Sequence, residues 1–459
     1  MWGGSSAGRA LRSQCRGREF DPPPLHHRIP KVSRRFSRDL FLYRFFLSYP
    51  FLSSVVRFMR HDCLSPHFSG RRVHVVLINA CRVVNAKGGM EKVFCDMANE
   101  LVHRGFEVSA ICFDQNKGLP GYPLDSAVQF INAYDELSHT FLDGKFMTKV
   151  RCWSPRKKQR QLNRFTLKYR KQQEAIGKIL DRLKDVDIFI SYQTPTTFVL
   201  RRLLNIKAPV VTMLHGNPSF YCEKSSFQFF KGAVEESNVV QVLRPEFADE
   251  ARKYLKKVPI TVIPNIAPQF KESADLRKKK IINVARLDPQ KDPELLVRAF
   301  SLLKDQFPDW ICEWWGETTV NLALTAKIEE LIAREGLEGR FLLRGVTDDV
   351  PSKLRNASIF AFPSSFEGFS LALAEGFAMG LPAVGRKDCP SVNTLIRDGK
   401  NGFLTDATPE AFAAGLAKLM DSEELRYQLG LEGKVDMEVY SADRVWGIWE
   451  KLILDLVQK

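Results

Sequence analysis

The sequence predicts an α/β protein made of two doubly wound domains facing a cleft, with a C-terminal helix crossing between the lobes and a basic N-terminal extension. Three observations carry this expectation. From Val73 onward, continuous β-branched runs alternate with amphipathic stretches, the pattern of a parallel sheet covered on both faces. After VIPN, residues 262 to 265, the chain passes through the polar stretch IAPQFKESADLRKKK and begins the same alternation again. Near its end, ADRVWGIWEKLILDLV is amphipathic and, at about 1.5 Å per residue, long enough to bridge two lobes.

The elements follow in order. VHVVLIN (73–79) is a buried strand, and a polar loop leads to Gly88-Gly89. EKVFCDMANELVHRG then places Phe94, Met97, Ala98, Leu101 and Val102 on one helical face before Gly105 stops it. Further strands are expected at EVSAICF (107–113), DIFISY (187–192), PVVTMLH (209–215) and VVQVL (239–243). In the second half IINVAR (281–286), DWICEWW, FLLRG and SIFAFP (358–363) read as strands, while PELLVRAFSLLKDQF, LTAKIEELIARE and FSLALAEGFAMG read as helices. The division expected is an extension at 1–72, poor in order, an N-terminal domain at 73–265, a C-terminal domain at 266–440 and a crossing helix at 441–459.

The 459 residues are 44% apolar and 26% charged, ordinary for a folded globular protein. The net charge of +15 is unevenly spread. Residues 1–72 hold 14 Lys/Arg against 4 Asp/Glu, and the run from Lys145 to Lys171 holds 11 Lys/Arg and no acid, so the rest of the chain is net acidic. Such patches attract polyanions, whether lipid headgroups or nucleic acid, or simply remain solvated. They lack the interleaved aromatics and motifs of a nucleic-acid module, so no nucleic-acid partner is expected. The run 145–171 is expected to dock on an anionic membrane surface.

Nine cysteines stand singly, with neither Cys-x-x-Cys nor zinc spacing, which suits reduced thiols in a cytoplasmic setting. FFLSYPFLSSVV, Phe45 to Val56, is too short to span a bilayer but could lie in its interface, giving a peripheral protein on the inner face of the membrane. Met59 is an alternative start for the native protein.

In doubly wound sheets, ligands bind beyond the carboxyl ends of the strands. Three such places suit phosphate. Gly88-Gly89 lets bare backbone approach a ligand at a positive helix end. In RLDPQK, Arg286 closes a strand and Lys291 opens the next helix, where a cation is unfavourable unless an anion lies nearby. In SSFEGFSLALAEGFAMG (364–380), the helix is expected to start near Phe369, turning the amides of Phe369, Ser370 and Leu371 toward the cleft. Glu367 then lies in the loop and Glu375 one turn into the helix. Asp185-Val186-Asp187 imitates a metal-binding Asp-x-Asp, but its position between a helix end and a strand reads as a solvent-edge turn.

In this frame the sequence resembles the retaining glycosyltransferases of family 4, whose two-lobed GT-B fold pairs two Rossmann-like domains. The resemblance rests on KGGMEKV (87–93), LHGNP (214–218), VIPN (262–265), VARLDPQKDPELLVRAF (284–300), RGVTDDV (344–350) and the E-x7-E stretch FPSSFEGFSLALAEGFAMGLPAV (362–384). It implies that Arg286 and Lys291 hold a nucleotide diphosphate and that Glu375 binds ribose hydroxyls. Glu367 would contact the donor sugar, and the amides after Glu367-Gly368 would bind sugar or phosphate. His215 matches the family's cleft histidine. The loop GRKDCPSVNTLI departs from the common pattern, with Cys389-Pro390 and Asn393 where relatives carry a glycine pair and a glutamate. What the resemblance implies is transfer of a hexosyl or N-acetylhexosaminyl unit from a nucleotide sugar, UDP-linked, to a lipid-linked or polysaccharide acceptor. No cofactor and no metal are expected. A nucleotide-sugar epimerase on the same architecture is the alternative.

Overall fold

Two all-parallel sheets organise the chain. The computed structural model describes residues 67, 68, 70–137, 157–389 and 392–458, all within the unit Leu64–Lys459. The segment Phe45 to Val56, nearly all of the 1–72 extension, residues 145–156 of the basic run and Pro390 lie outside the described residues.

The N-terminal lobe contains β1 (His74–Asn79), β2 (Glu107–Cys112), β3 (Gln129–Asn132), β4 (Ile188–Ser191), β5 (Val210–Leu214), β6 (Val239–Val242) and β7 (Ile260–Val262). Their order across the sheet is β3-β2-β1-β4-β5-β6-β7. The C-terminal lobe contains β8 (Lys280–Val284), β9 (Ile311–Trp315), β10 (Phe341–Gly345), β11 (Ile359–Phe362), β12 (Ala383–Arg386) and β13 (Gly402–Thr405), ordered β10-β9-β8-β11-β12-β13. Each lobe thus repeats the doubly wound order 3-2-1-4-5-6, and the two-domain α/β expectation holds. β1 is buried at all six positions, as a central strand covered on both faces must be.

Two helices matter most for the cleft. α1 (Gly89–His103) buries Phe94, Cys95, Met97, Ala98 and Leu101 against the N-terminal sheet, the face that its apolar spacing predicts. α2 (Lys157–Lys168) lies in the basic run and is anchored by Phe165, whose ring stacks on Phe229 at 4.5 Å and meets Phe230 at 4.7 Å. Arg160, Arg164 and Lys168 of that helix stay exposed.

In the second lobe, α3 (Pro293–Ser301) follows β8, and α4 (Leu371–Ala378) follows β11. The chain ends in α5 (Ala442–Val457), which returns to the first lobe. Its Val445, Trp446, Trp449, Ile453, Leu454 and Leu456 share one apolar cluster with Val75, Leu77, Tyr192 and Met213. Each indole buries roughly 200 Å², which at about 25 cal/mol per Å² favours docking by on the order of 5 kcal/mol before ordering costs. Arg104 ties α1 to α5 through Glu450 at 2.6 Å.

Asp187 resolves the Asp-x-Asp stretch. Both its carboxylate oxygens accept from Arg71, at 2.7 and 2.8 Å, and Oδ2 also accepts the His74 amide at 2.8 Å. The pair is a structural turn. Among the described residues, the six cysteines are free, and no helix is long and apolar enough to cross a membrane.

Candidate functional site

In the second sheet β8 and β11 are neighbours, paired through Ile281 and Ile359, yet the chain leaves them toward opposite edges of the sheet. Their exit loops therefore diverge and open a crevice. The loop after β8 carries Arg286 and Lys291. The loop after β11 carries Glu367.

These loops are fastened to each other. The Gln290 carbonyl accepts from the Ser365 amide at 2.9 Å and its hydroxyl at 3.0 Å, and the Gln290 side-chain amide donates to the Phe366 carbonyl. Fastened this way, Lys291 and Glu367 form an ion pair, with only 17% and 11% of their side chains exposed. Arg286 lies two residues beyond the end of β8 and is exposed.

Lys291 does not open a helix, as the sequence suggested. It ends the single turn Pro289–Lys291, and Asp292 intervenes in a left-handed conformation (φ 47°, ψ 58°), its carboxylate accepting the Leu295 amide at 3.2 Å to cap α3. Asp292 also receives Arg386 at 2.6 Å. Arg386, at the end of β12, is itself gripped by Asp388 at 2.8 and 2.6 Å. This three-residue brace was not visible in the sequence.

The first lobe brings complementary parts. Gly88 caps α1 without a side chain. A Cβ placed on Gly89 would stand 3.5 Å from Leu371 Cδ1, so the starts of α1 and α4 lie against each other across the cleft. Ser370 caps α4 by accepting the Leu373 amide at 3.2 Å, so the helix begins at Leu371. The amides of Phe369 and Ser370 belong to the preceding loop, and only that of Leu371 opens the helix, because the serine hydroxyl competes for the first turn.

His215 follows β5. Its ring stacks on Tyr192 at 5.2 Å, and Nε2 is buried with no hydrogen-bond partner among the described residues, although the residue as a whole keeps some exposure. Burial pushes its pKa down to about 4, so the imidazole is neutral near pH 7. The His215 carbonyl touches Gly368: a Cβ there would lie 2.2 Å from that oxygen.

Glu375 faces the first lobe from α4. It lines a cavity of about 90 Å³ with Lys92, Asp96, Gln241 and Trp446. Burial pushes its carboxyl up to about 7, against the pull of Lys92 and with the push of Asp96. All eleven sequence-selected residues therefore lie along the facing strand-end loops and helix starts of the two lobes. Gly368 packs on the His215 carbonyl, and Gly89 approaches the Leu371 side chain, where the lobes come together.

Comparison with known proteins bears on what such a cleft belongs to. The family model for glycosyltransferase family 4 matches residues 87–267, and that for glycosyl transferases group 1 matches residues 266–436. The chain belongs to these glycosyltransferases.

Among relatives, the glycosyltransferase is 25% identical over 379 residues to an uncharacterized glycosyltransferase of Haemophilus influenzae, covering 81% of this chain and 97% of that one. It is 32% identical over 165 residues to N-acetylgalactosamine-N,N'-diacetylbacillosaminyl-diphospho-undecaprenol 4-alpha-N-acetylgalactosaminyltransferase of Campylobacter jejuni, covering 36% and 43%. The crystal structure of a mutant of S. aureus TarM with fondaparinux, alpha-GlcNAc-glycerol and UDP matches with a TM-score of 0.64 at 15% identity, covering 83% and 99%, which establishes the GT-B fold.

Sequence reasoning missed what fastens the glycosyltransferase's site: Gln290, Ser365, Asp292, Arg386, and Arg244, which reaches Thr394 from the end of β6. Gln290, Asp292, Ser365 and Arg386 all lie inside stretches the sequence singles out, but nothing local to those stretches shows which partner each one takes.

Proposed function

We propose that the enzyme transfers a hexosyl or N-acetylhexosaminyl unit from a UDP-sugar to a lipid-linked or surface-polysaccharide acceptor, with retention of configuration and without a metal. The observation that carries this reading is the Lys291–Glu367 ion pair beside two helix starts that meet from opposite lobes. Glu91 already lies in the first turn of α1, and a second anion between two positive helix ends is favoured further. A nucleotide diphosphate is such an anion, and the UDP bound in TarM and the diphospho-undecaprenol acceptor named for the Campylobacter relative favour this chemistry.

The charges suit the reaction. As the sugar–diphosphate bond breaks, the leaving phosphate becomes more negative and the sugar positive. Arg286, Lys291 and the amides at Gly89 and Leu371 stabilise the first, and the Glu367 carboxylate the second. One cation about 4 Å from the developing charge contributes on the order of 4 kcal/mol at an effective dielectric near 20, so two cations and two helix ends can take a metal's place. Glu375 holds the ribose hydroxyls, and neutral His215 lies beside the donor sugar.

Incubating the purified protein in EDTA with a panel of radiolabelled UDP-sugars tests this. Hydrolysis or transfer of at least one is expected; no turnover together with no nucleotide heat in calorimetry rules the proposal out. None of the comparisons supports an epimerase, and NMR of the products separates the two reactions.

Binding to an anionic membrane surface is favoured by Arg160, Arg164 and Lys168, exposed at four-residue intervals along α2. Flotation with anionic liposomes that is unchanged when all three become alanine would count against it.

A further inference from the structure

Two aromatic rings from opposite lobes meet near Glu367. Phe220 lies in the short helix Pro218–Cys222 after the His215 loop and keeps 51% of its surface exposed. Its ring stands 5.4 Å from that of Phe366, the residue immediately before Glu367, with the planes tilted by 39°. Lys224 Nζ lies 3.8 Å from the centre of the Phe220 ring, and Tyr221 meets the ring edge-on at 5.5 Å.

Phe220 is held outward by a rigid base. Asn217 caps its helix by accepting the Ser219 amide at 3.0 Å, Pro218 and Cys222 are buried, and a Cβ on Gly216 would meet Tyr221 Oη at 2.9 Å. The backbone at Phe366 is held by the Gln290 side-chain amide, which donates to its carbonyl. The two rings come from opposite lobes, and each adjoins a segment, the His215 loop or Glu367, that the proposed function places at the donor sugar.

Under the proposed function the acceptor reaches the sugar's anomeric carbon beside Glu367, and Phe366, paired with Phe220, immediately precedes that residue. A pyranose offers a face of C–H bonds that packs on an aromatic ring, and a lysine poised over that ring attracts a negative group. We propose that the rim formed by Phe220, Phe366 and Lys224 is the acceptor subsite, its rings packing against the C–H face of a pyranose whose carboxylate or phosphate is recognised by Lys224. This rests on the transferase reading and adds the acceptor's chemical class to it.

The test is saturation-transfer NMR on the full chain with saturating UDP, so that phosphate-binding groups in the donor site are occupied. Three probes are compared: methyl β-D-glucuronide, α-D-glucose 1-phosphate and methyl β-D-glucoside. At least one anionic sugar should bind about threefold to fivefold more tightly than the neutral one, and which of them does so identifies the charged group. Phe220→Leu, which keeps the apolar bulk and loses the ring, should abolish the signal, and Lys224→Met should equalise the three probes. UDP affinity, measured by calorimetry in the same variants, should stay within about twofold. Equal binding of all three probes, no binding of any, or a signal that survives Phe220→Leu in a protein that still binds UDP overturns the proposal. Failure of the unmodified protein to bind UDP instead overturns the UDP-sugar reading beneath it.

Discussion

Gly368 rests on the carbonyl of His215, so that a single added carbon would come within 2.2 Å of that oxygen. The contact joins backbone to backbone across the two lobes, and neither partner can turn aside. Gly368→Ala must therefore separate the lobes at this point. Overpacking of this kind costs about 1–3 kcal/mol. Activity on a UDP-sugar is expected to fall at least about tenfold, equivalent to ~1.4 kcal/mol at the transition state, with a modest loss in melting temperature. Kinetics of the variant beside its thermal unfolding check this, and wild-type activity would show that the lobes need not meet there.

The Lys291–Glu367 pair makes a second prediction. In the structure the two charges pair with each other; under the proposed function, Lys291 turns to phosphate and Glu367 to sugar once the donor binds. Lys291→Ala removes the proposed phosphate partner and the cation paired with the Glu367 carboxylate, which is 11% exposed. UDP affinity should drop by roughly ten- to hundredfold, and Glu367→Gln should lower turnover much more than it lowers UDP affinity. Calorimetry and steady-state rates on the two variants separate these effects.

Stability should depend on pH through two groups of opposite sign. The Glu375 carboxyl is raised from 4.5 to about 7, so the folded state binds its proton more tightly, and stability present below pH 4.5 is lost as pH rises toward 7. Across that interval the loss is about 3 kcal/mol. His215 is lowered from 6.5 to about 4, so its contribution is present above pH 6.5 and lost as pH falls toward 4. The two largely cancel between. Urea unfolding of Glu375→Gln should therefore show stability rising from pH 5 to 6.5, and His215→Asn should show it falling over the same range.

Asp292 combines a left-handed backbone, a helix cap and an ion pair to Arg386. Arg386→Met leaves two carboxylates facing each other without their cation and should destabilise the protein by about 3 kcal/mol. Asp292→Gly relieves the backbone but forfeits cap and ion pair, and is expected to cost less, about 1–2 kcal/mol. Both should raise KM for the UDP-sugar through the neighbouring Lys291. An Arg386→Met protein with unchanged unfolding and KM would show that the brace does not position Lys291.

The strands that form the centre of each sheet were legible because burial on both faces demands unbroken apolar runs, as in VHVVLIN and SIFAFP. Four strands are not legible: β3 and β7 are short and only partly buried, and β12 and β13 follow glycine-containing turns that mask their pattern. The E-x7-E stretch and its glycines were legible because their spacing is local. The fastening of Gln290 to Ser365 and Phe366 was not, since it joins segments about 75 residues apart with no periodicity to announce it. The start of α4 was placed two residues early because the serine that ends the loop is also the residue that caps the helix.

Calorimetric titration of UDP into the protein in EDTA, with wild type and Lys291→Ala side by side, tests the central claim most directly. Binding at one site per chain without divalent ion, weakened at least about tenfold by the substitution, is the predicted result. An absence of heat, or binding that appears only when a divalent cation is added, would contradict it.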